Sequence, residues 1–227
     1  MGQKISVDLF RAKKRLSNIG SNPSDPSTLQ RSVWFATGRS YSKLLLQDRD
    51  IRVFLKKELS NAGLVEIIIK RYFRKIEVVL YVTKPGVVIG RSGATINKLK
   101  EDLVVKFALP KDLRLDIQEF KDPNRSARVI ADEVSEALKR NIPYRRLAKS
   151  YIEKIRYSGV LGAKITVSGR LNGAEIARKE DFLFGSIPRH TIDASIDYAQ
   201  VGCKTKAGIV GIKVLLYKGD KFKNYTY

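Results

Sequence analysis

Histidine and cysteine are nearly missing from this sequence. His190 and Cys203 stand alone among 227 residues. A metal centre built on these side chains needs several of them together, and a shared-proton relay needs a second base, so neither chemistry has its materials. His190 reads as structural. A single cysteine cannot close an internal disulfide, which fits a reducing compartment. Cys203 lies between Gly202 and Lys204 with no His or Asp nearby in sequence, and it does not read as a nucleophile. Neither G-x-x-x-x-G-K-[ST] nor G-x-G-x-x-G occurs, so no nucleotide-cofactor loop is expected, and no cofactor of any kind. No apolar run approaches the roughly 18 residues that cross a bilayer, so no membrane partner is expected. The first sixteen residues also lack the apolar region of a secretory signal.

Acidic residues are scarce too. Lys and Arg total 44 against 23 Asp and Glu, a formal charge of +21. The excess is spread over residues 1–60, 61–120, 121–180 and 181–227 as +7, +4, +7 and +3, so it belongs to the folded body and not to a tail. Such a body repels itself unless an anion is present, and nucleic acid is the usual partner. A hydrophobic content of 43% with 9% aromatics supplies a core.

Apolar spacing predicts a helix from about Ser42 to Ser60, carried by Leu44, Leu45, Ile51, Phe54, Leu55 and Leu59. Strands follow at Val65–Lys70 and Lys75–Thr83. In the second of these, Ile76, Val78, Leu80 and Val82 alternate towards one face. A helix over Ala94–Val105 and a strand over Leu113–Gln118 complete an α/β unit. After Asp122-Pro123-Asn124, helices are expected near Ser126–Arg140 and Tyr144–Tyr157. Strands are then expected at Lys164–Ser168, Ala174–Phe184, Asp193–Ala199 and Gly208–Tyr217. The fold class is α+β in two domains.

Two stretches carry the chemistry. In KPGVVIGRSGATINKLK, residues 84–100, Gly90-Arg91-Ser92-Gly93 separates an apolar run from a helix start. Glycine reaches positive φ and lets a ligand approach the backbone; a helix N-terminus beside it favours an anion, and Arg91 adds charge. A plain strand-to-helix turn would show the same spacing. An apolar segment, a basic G-x-x-G loop and a helix in that order match the KH module, whose loop clamps a nucleic-acid backbone. The second stretch is YRRLAKSYIEKIRY, residues 144–157. On a helical wheel, Arg145, Arg146, Lys149 and Arg156 fall within about 100° of one another, opposite Leu147, Ala148, Tyr151 and Ile155. Only Glu153 interrupts this face. A solvated face normally mixes both signs, because like charges at i,i+4 cost stability. Phosphate contact is the expected use, and arginine's planar fork suits it.

Taken together, the motifs closely resemble the family of small-subunit ribosomal protein number three, in its bacterial form. The opening MGQK, VWFA (Val33–Ala36), KPGVVIGRSGATINKL, YRRLAK (Tyr144–Lys149), SGRLNGAEIAR (Ser168–Arg178), PRHT (Pro188–Thr191), ASIDY (Ala194–Tyr198) and GIVGIKVLLYKGD all match it. The resemblance covers nearly everything from Val33 to Asp220. It implies an N-terminal arm and loop (1–38), a type II KH domain (39–120), a C-terminal α+β domain with two helices on a mostly antiparallel sheet (121–220), and a polar tail (221–227).

As to function, the resemblance implies a structural constituent of the small subunit, with no enzymatic activity of its own. It would bind rRNA in the subunit head and help guide and unwind mRNA at the channel through which the message enters. By position, the cluster that opens mRNA falls on Arg145, Arg146 and Lys149. The partners implied are small-subunit rRNA, mRNA and the head proteins numbered ten and fourteen. The place implied is a cytoplasmic or organellar ribosome. Three departures stand out. The arm reads ISVDLFRAKKRLSNIGSNPSDPS in place of the family's usual stretch, the G-x-x-G loop has one basic residue where relatives often have two, and Asn172 stands where the family usually has glycine. The alternative is a free-standing KH-domain regulator of mRNA. A regulator would be expected to repeat its RNA module or add a low-complexity arm, and neither is present.

Overall fold

A computed structural model of the protein describes residues 7–10, 32–72, 75–107, 109–110 and 112–220. Phe73, the polar tail and most of the N-terminal arm lie outside the described residues. Among those described, residues 32–121 form one compact unit, and residues 122–220 with helix α1 (Val7–Phe10) form another.

The first unit contains strand β1 (Ser32–Val33), helix α2 (Arg39–Glu58), strands β2 (Leu64–Arg71) and β3 (Ile76–Val82), helices α3 (Pro85–Ile89) and α4 (Ala94–Phe107), and strand β4 (Leu113–Glu119). The sheet runs β1-β2-β3-β4, with the β2–β3 pair antiparallel and the other two parallel. The period-2 pattern of β3 places Ile76, Val78, Leu80 and Val82 in one core, where they meet Ile51 and Leu55 of α2 and Leu99 and Leu103 of α4. A fully buried Leu or Ile contributes about 1.5–3 kcal/mol relative to exposure.

A plain strand-to-helix turn, the alternative reading of this stretch, is not what forms. Pro85, its φ pre-set for the first helical position, starts the short helix α3 through Val87–Ile89. The glycine loop therefore joins two helices. This is the helix–strand–strand–helix–helix–strand order of a type II KH domain. Strand β1 went unread in the sequence, because two residues give no periodicity. It is fastened by Asp48 of α2, which is buried. Asp48 accepts hydrogen bonds from the Trp34 indole N–H at 2.7 Å and from Arg71, by Nε at 2.8 Å and by Nη2. Trp34 of VWFA is thus held by a buried carboxylate.

The second unit contains helices α5 (Ala127–Lys139) and α6 (Tyr144–Tyr157) and strands β5 (Gly162–Gly169), β6 (Arg178–Gly185), β7 (Ala194–Thr205) and β8 (Gly208–Asp220). All pairs in the sheet, ordered β6-β5-β8-β7, are antiparallel. Ala127, Ile130, Ala131 and Val134 of α5 and Tyr144 and Ile155 of α6 pack on Ile165, Val167 and Ile212 of the sheet. The first amide of α5, Ala127 N–H, donates to Asp197 Oδ2 at 3.0 Å, and Lys218 Nζ lies 3.5 Å from the same oxygen. A carboxylate at a helix N-terminus answers both an orphan amide and the helix dipole. Asp197 of ASIDY is therefore a tertiary cap.

Two strand bounds depart furthest from expectation. The strand expected from Ala174 begins only at Arg178, because Leu171–Gly173 forms a tight turn and Ile176 is exposed. Strand β7 continues to Thr205, where it meets β8 through the two-residue turn Lys206-Ala207. The arm expected over residues 1–38 is divided: Ser32–Val33 pairs with β2, whereas Val7 packs on Ala194, Ile196 and Tyr217 of the second unit.

Candidate nucleic-acid interface

The G-x-x-G loop owes its shape to its glycines. Gly90 has φ of 72°, and a Cβ there would lie 2.1 Å from Thr95 Oγ1 and 2.8 Å from Thr95 Cβ, so no side chain fits. Ser92 (φ 51°) and Gly93 (φ 76°) continue in the left-handed region. The Arg91 and Ser92 side chains are exposed at the start of α4. Arg91 makes no ion pair or side-chain hydrogen bond among the described residues. The loop thus offers open backbone and one free cation beside the start of a fourteen-residue helix.

Helix α6 has the bounds and the faces its periodicity predicts. Tyr144, Leu147, Ala148 and Ile155 are buried, with Tyr151 and Ile152 half-buried, while Arg145, Arg146, Lys149, Glu153, Lys154 and Arg156 are exposed. The cations are not equivalent. Arg145 donates from Nε to Glu180 Oε2 at 3.1 Å and from Nη2 to Oε1 at 2.9 Å, and the Tyr144 hydroxyl donates to the same Oε1 at 2.8 Å. Glu180 is on β6. The hydrogen bond to Glu180 raises the Arg145 pKa above its ordinary value. In return, the hydrogen bonds from Arg145 and then Tyr144 hold the Glu180 carboxyl below its usual range. Arg156 lies 5.7 Å from the centre of the Phe184 ring. Arg146 and Lys149 form no ion pair or side-chain hydrogen bond among the described residues, so their charges face solvent uncompensated.

Wheel geometry did not reveal Glu180. It is 35 positions from Arg145, on a different element, within a strand that opens with two cations and two carboxylates (Arg178, Lys179, Glu180, Asp181) and whose faces sequence alone leaves unassigned. The neighbouring Asp181 accepts from Lys164 Nζ at 2.7 Å and from Thr166 Oγ1 at 2.7 Å. Burial pushes the Asp181 carboxyl up, but these hydrogen bonds and the charges of Lys164 and Lys179 outweigh it and leave the group below its ordinary value.

Asn172, one of the departures from the family pattern, sits at φ 55° and ψ 28°, a conformation that asparagine tolerates better than most residues. Cys203 is fully buried, its Sγ–H pointing at the Ser135 carbonyl at 3.3 Å. Among the described residues no group of three or more His, Cys, Asp and Glu could hold a metal ion, and no helix is long and apolar enough to cross a membrane.

A KH fold with an exposed G-x-x-G turn, joined to an α+β unit bearing a helix with a cationic face, defines a two-domain RNA-binding protein of the KH class. Comparison with known proteins narrows the class. Residues 50–125 match the KH domain family, and residues 134–216 match the family described as ribosomal protein S3, C-terminal domain. Proteins named small ribosomal subunit protein uS3 are similar over most of the chain. The one from Caulobacter sp. (strain K31) is 43% identical over 189 residues, covering 83% of this chain and 75% of that protein. The one from Polynucleobacter asymbioticus is 40% identical over 97% of this chain and 75% of its own length. A protein of Guillardia theta named small ribosomal subunit protein uS3c is 37% identical over 226 residues, 100% of this chain and 99% of that protein. The chain belongs to the ribosomal protein S3 family.

Proposed function

We propose that this chain is a structural constituent of the small ribosomal subunit, binding rRNA in the subunit head and helping to guide and open mRNA where the message enters. The observation that carries the reading is the outer face of α6, on which Arg146 and Lys149 stand exposed and uncompensated on a helix whose other side is locked into the core. A rigid row of cations can hold separated strands apart by their phosphates, while translocation of the ribosome supplies the energy. Arg145 and Arg156 flank that row. The Gly90–Gly93 loop, with Arg91, is the second contact and clamps RNA backbone. Neighbouring head proteins, those numbered ten and fourteen by family resemblance, complete the setting.

Two measurements test this. Salt-washed ribosome pellets should retain the protein on small subunits. A variant with Arg145, Arg146 and Lys149 all changed to alanine should still assemble, since alanine favours helix and these side chains contribute little to the core. Its ribosomes should translate unstructured messages nearly as the parent does and slow at stable hairpins. An equal slowdown on both messages would remove the mRNA-opening role, and failure to assemble would make α6 an rRNA anchor.

A further inference from the structure

Three turns of the second unit converge on one cleft of about 340 Å³. They are the α5–α6 connection with Asn141 and Ile142, the Arg170–Gly173 turn, and the tip of the β7–β8 hairpin at Thr205–Ala207. Tyr144, Leu171 and Val210, all buried, form its apolar floor. Arg170 and Lys206 stand at its rim with Asn141 and Asn172, and no carboxylate lines it. Arg170 Nε donates to the Ala174 carbonyl at 2.9 Å, which fixes the guanidinium and leaves both Nη groups for a ligand.

The turn at the rim repeats the backbone of the KH loop. Asn172 has φ 55° and ψ 28° and is followed by Gly173 at φ 78°; Ser92 has φ 51° and ψ 27° and is followed by Gly93 at φ 76°. Each is a single tight turn with a left-handed centre, and each has a basic residue just before that centre or one place earlier, Arg91 or Arg170.

We infer that this cleft is a second RNA site, seating one unstacked nucleotide of a single strand, and the inference rests on the RNA-binding reading above. An apolar floor can cover a base, two asparagine amides at the rim can pair with base edges, and two cations with no opposing carboxylate suit the adjoining phosphate. A duplex cannot use the site, because its bases are stacked.

The test uses the full chain with a nine-nucleotide single strand carrying 4-thiouridine and, separately, a duplex of the same sequence. Replacing Ala207→Trp fills the mouth of the cleft from an exposed hairpin tip. It should lower single-strand affinity about tenfold, on the order of what seating one base contributes, and leave duplex affinity nearly unchanged. On the unsubstituted chain, light-induced adducts should map to residues 138–142 or to residues 205–207. In assembled subunits, adducts to rRNA without message, or to mRNA only when message is added, identify which strand supplies the nucleotide. Equal losses on single strand and duplex, no loss at all, or adducts confined to the Gly90–Gly93 loop would overturn the cleft. If alanines at Arg146 and Lys149 still weaken binding in that event, the proposed function stands. If neither RNA binds the parent chain, both readings fail.

Discussion

Arg145, Arg146 and Lys149 lie side by side on a wheel, yet they are not the same kind of group. Glu180 neutralises Arg145 and, with Tyr144, fixes its fork, whereas Arg146 and Lys149 carry full charge into solvent. Counterion release counts net cations that meet phosphates, with a slope near 0.7 per contact for single strands. Arg146→Ala and Lys149→Ala should each reduce the slope of log affinity against log salt by about that amount. Glu180→Gln should steepen it, by unmasking Arg145. The double variant Arg145→Ala/Glu180→Gln removes a neutral pair and should leave the slope where it began. Fluorescence anisotropy over a salt series reads all four. A double variant that loses as much slope as Arg146→Ala would make Arg145 a direct contact.

Among the elements, β6 is an edge strand fastened by two carboxylates on adjacent residues. Glu180 ties it to α6, and Asp181 ties it to Lys164 and Thr166 of β5. Both carboxyls titrate below their ordinary values of 4.5 and 3.8. A depressed carboxyl stabilises the fold above its unfolded pKa and ceases to do so as pH falls through its folded pKa. Melting temperature should therefore hold from neutrality to about pH 5 and then drop, and Glu180→Gln/Asp181→Asn should start lower and flatten that acid limb. An unchanged acid limb would show that neither pair matters to β6. This strand also marks where sequence reading stops. Helix α6 was legible to its ends, because a 3.6-residue period over fourteen positions is a strong signal and Pro143 marks its start. The carboxylate that fixes Arg145, the indole bond that holds β1 and the Asp197 cap on α5 were not legible. Each joins residues 14 to 70 positions apart through one or two hydrogen bonds, which leave no periodic trace.

Across the whole molecule, the two candidate RNA contacts belong to separate compact units, the loop to residues 32–121 and the basic helix to residues 122–220. Sites that share no partner combine additively in free energy. The Arg91→Asp/Ser92→Asp variant should keep its fold, since both side chains are exposed and aspartate tolerates the left-handed Ser92 position. It should weaken RNA binding, and combining it with Arg146→Ala/Lys149→Ala should multiply the two losses. Collapse of the fold, with undiminished affinity in whatever remains folded, would make the loop purely structural. The positions of seven strands and the two helices of the second unit were readable in sequence; the helix starting at Pro85, which completes the KH order, and the late start of β6 were not. In both places a local feature, a proline or a tight turn, outweighed the run of apolar residues around it.

The strand order β6-β5-β8-β7 sets a timetable for the nascent chain. The sequence delivers β5, β6 and β7 in turn, but β5 and β7 never touch; each borders β8, which is made last of the four. Until Gly208–Asp220 is synthesised, one hairpin and one lone strand wait with their inner edges open, and α5 and α6 have only part of a surface to cover. The KH sheet faces no such delay, because β4 joins its edge and all four of its strands precede Lys121. The two halves of this protein therefore mature at different moments. The half that bears the cationic helix closes only after the other has had time to fold, so the chain acquires its two proposed RNA contacts in sequence, loop first and helix second.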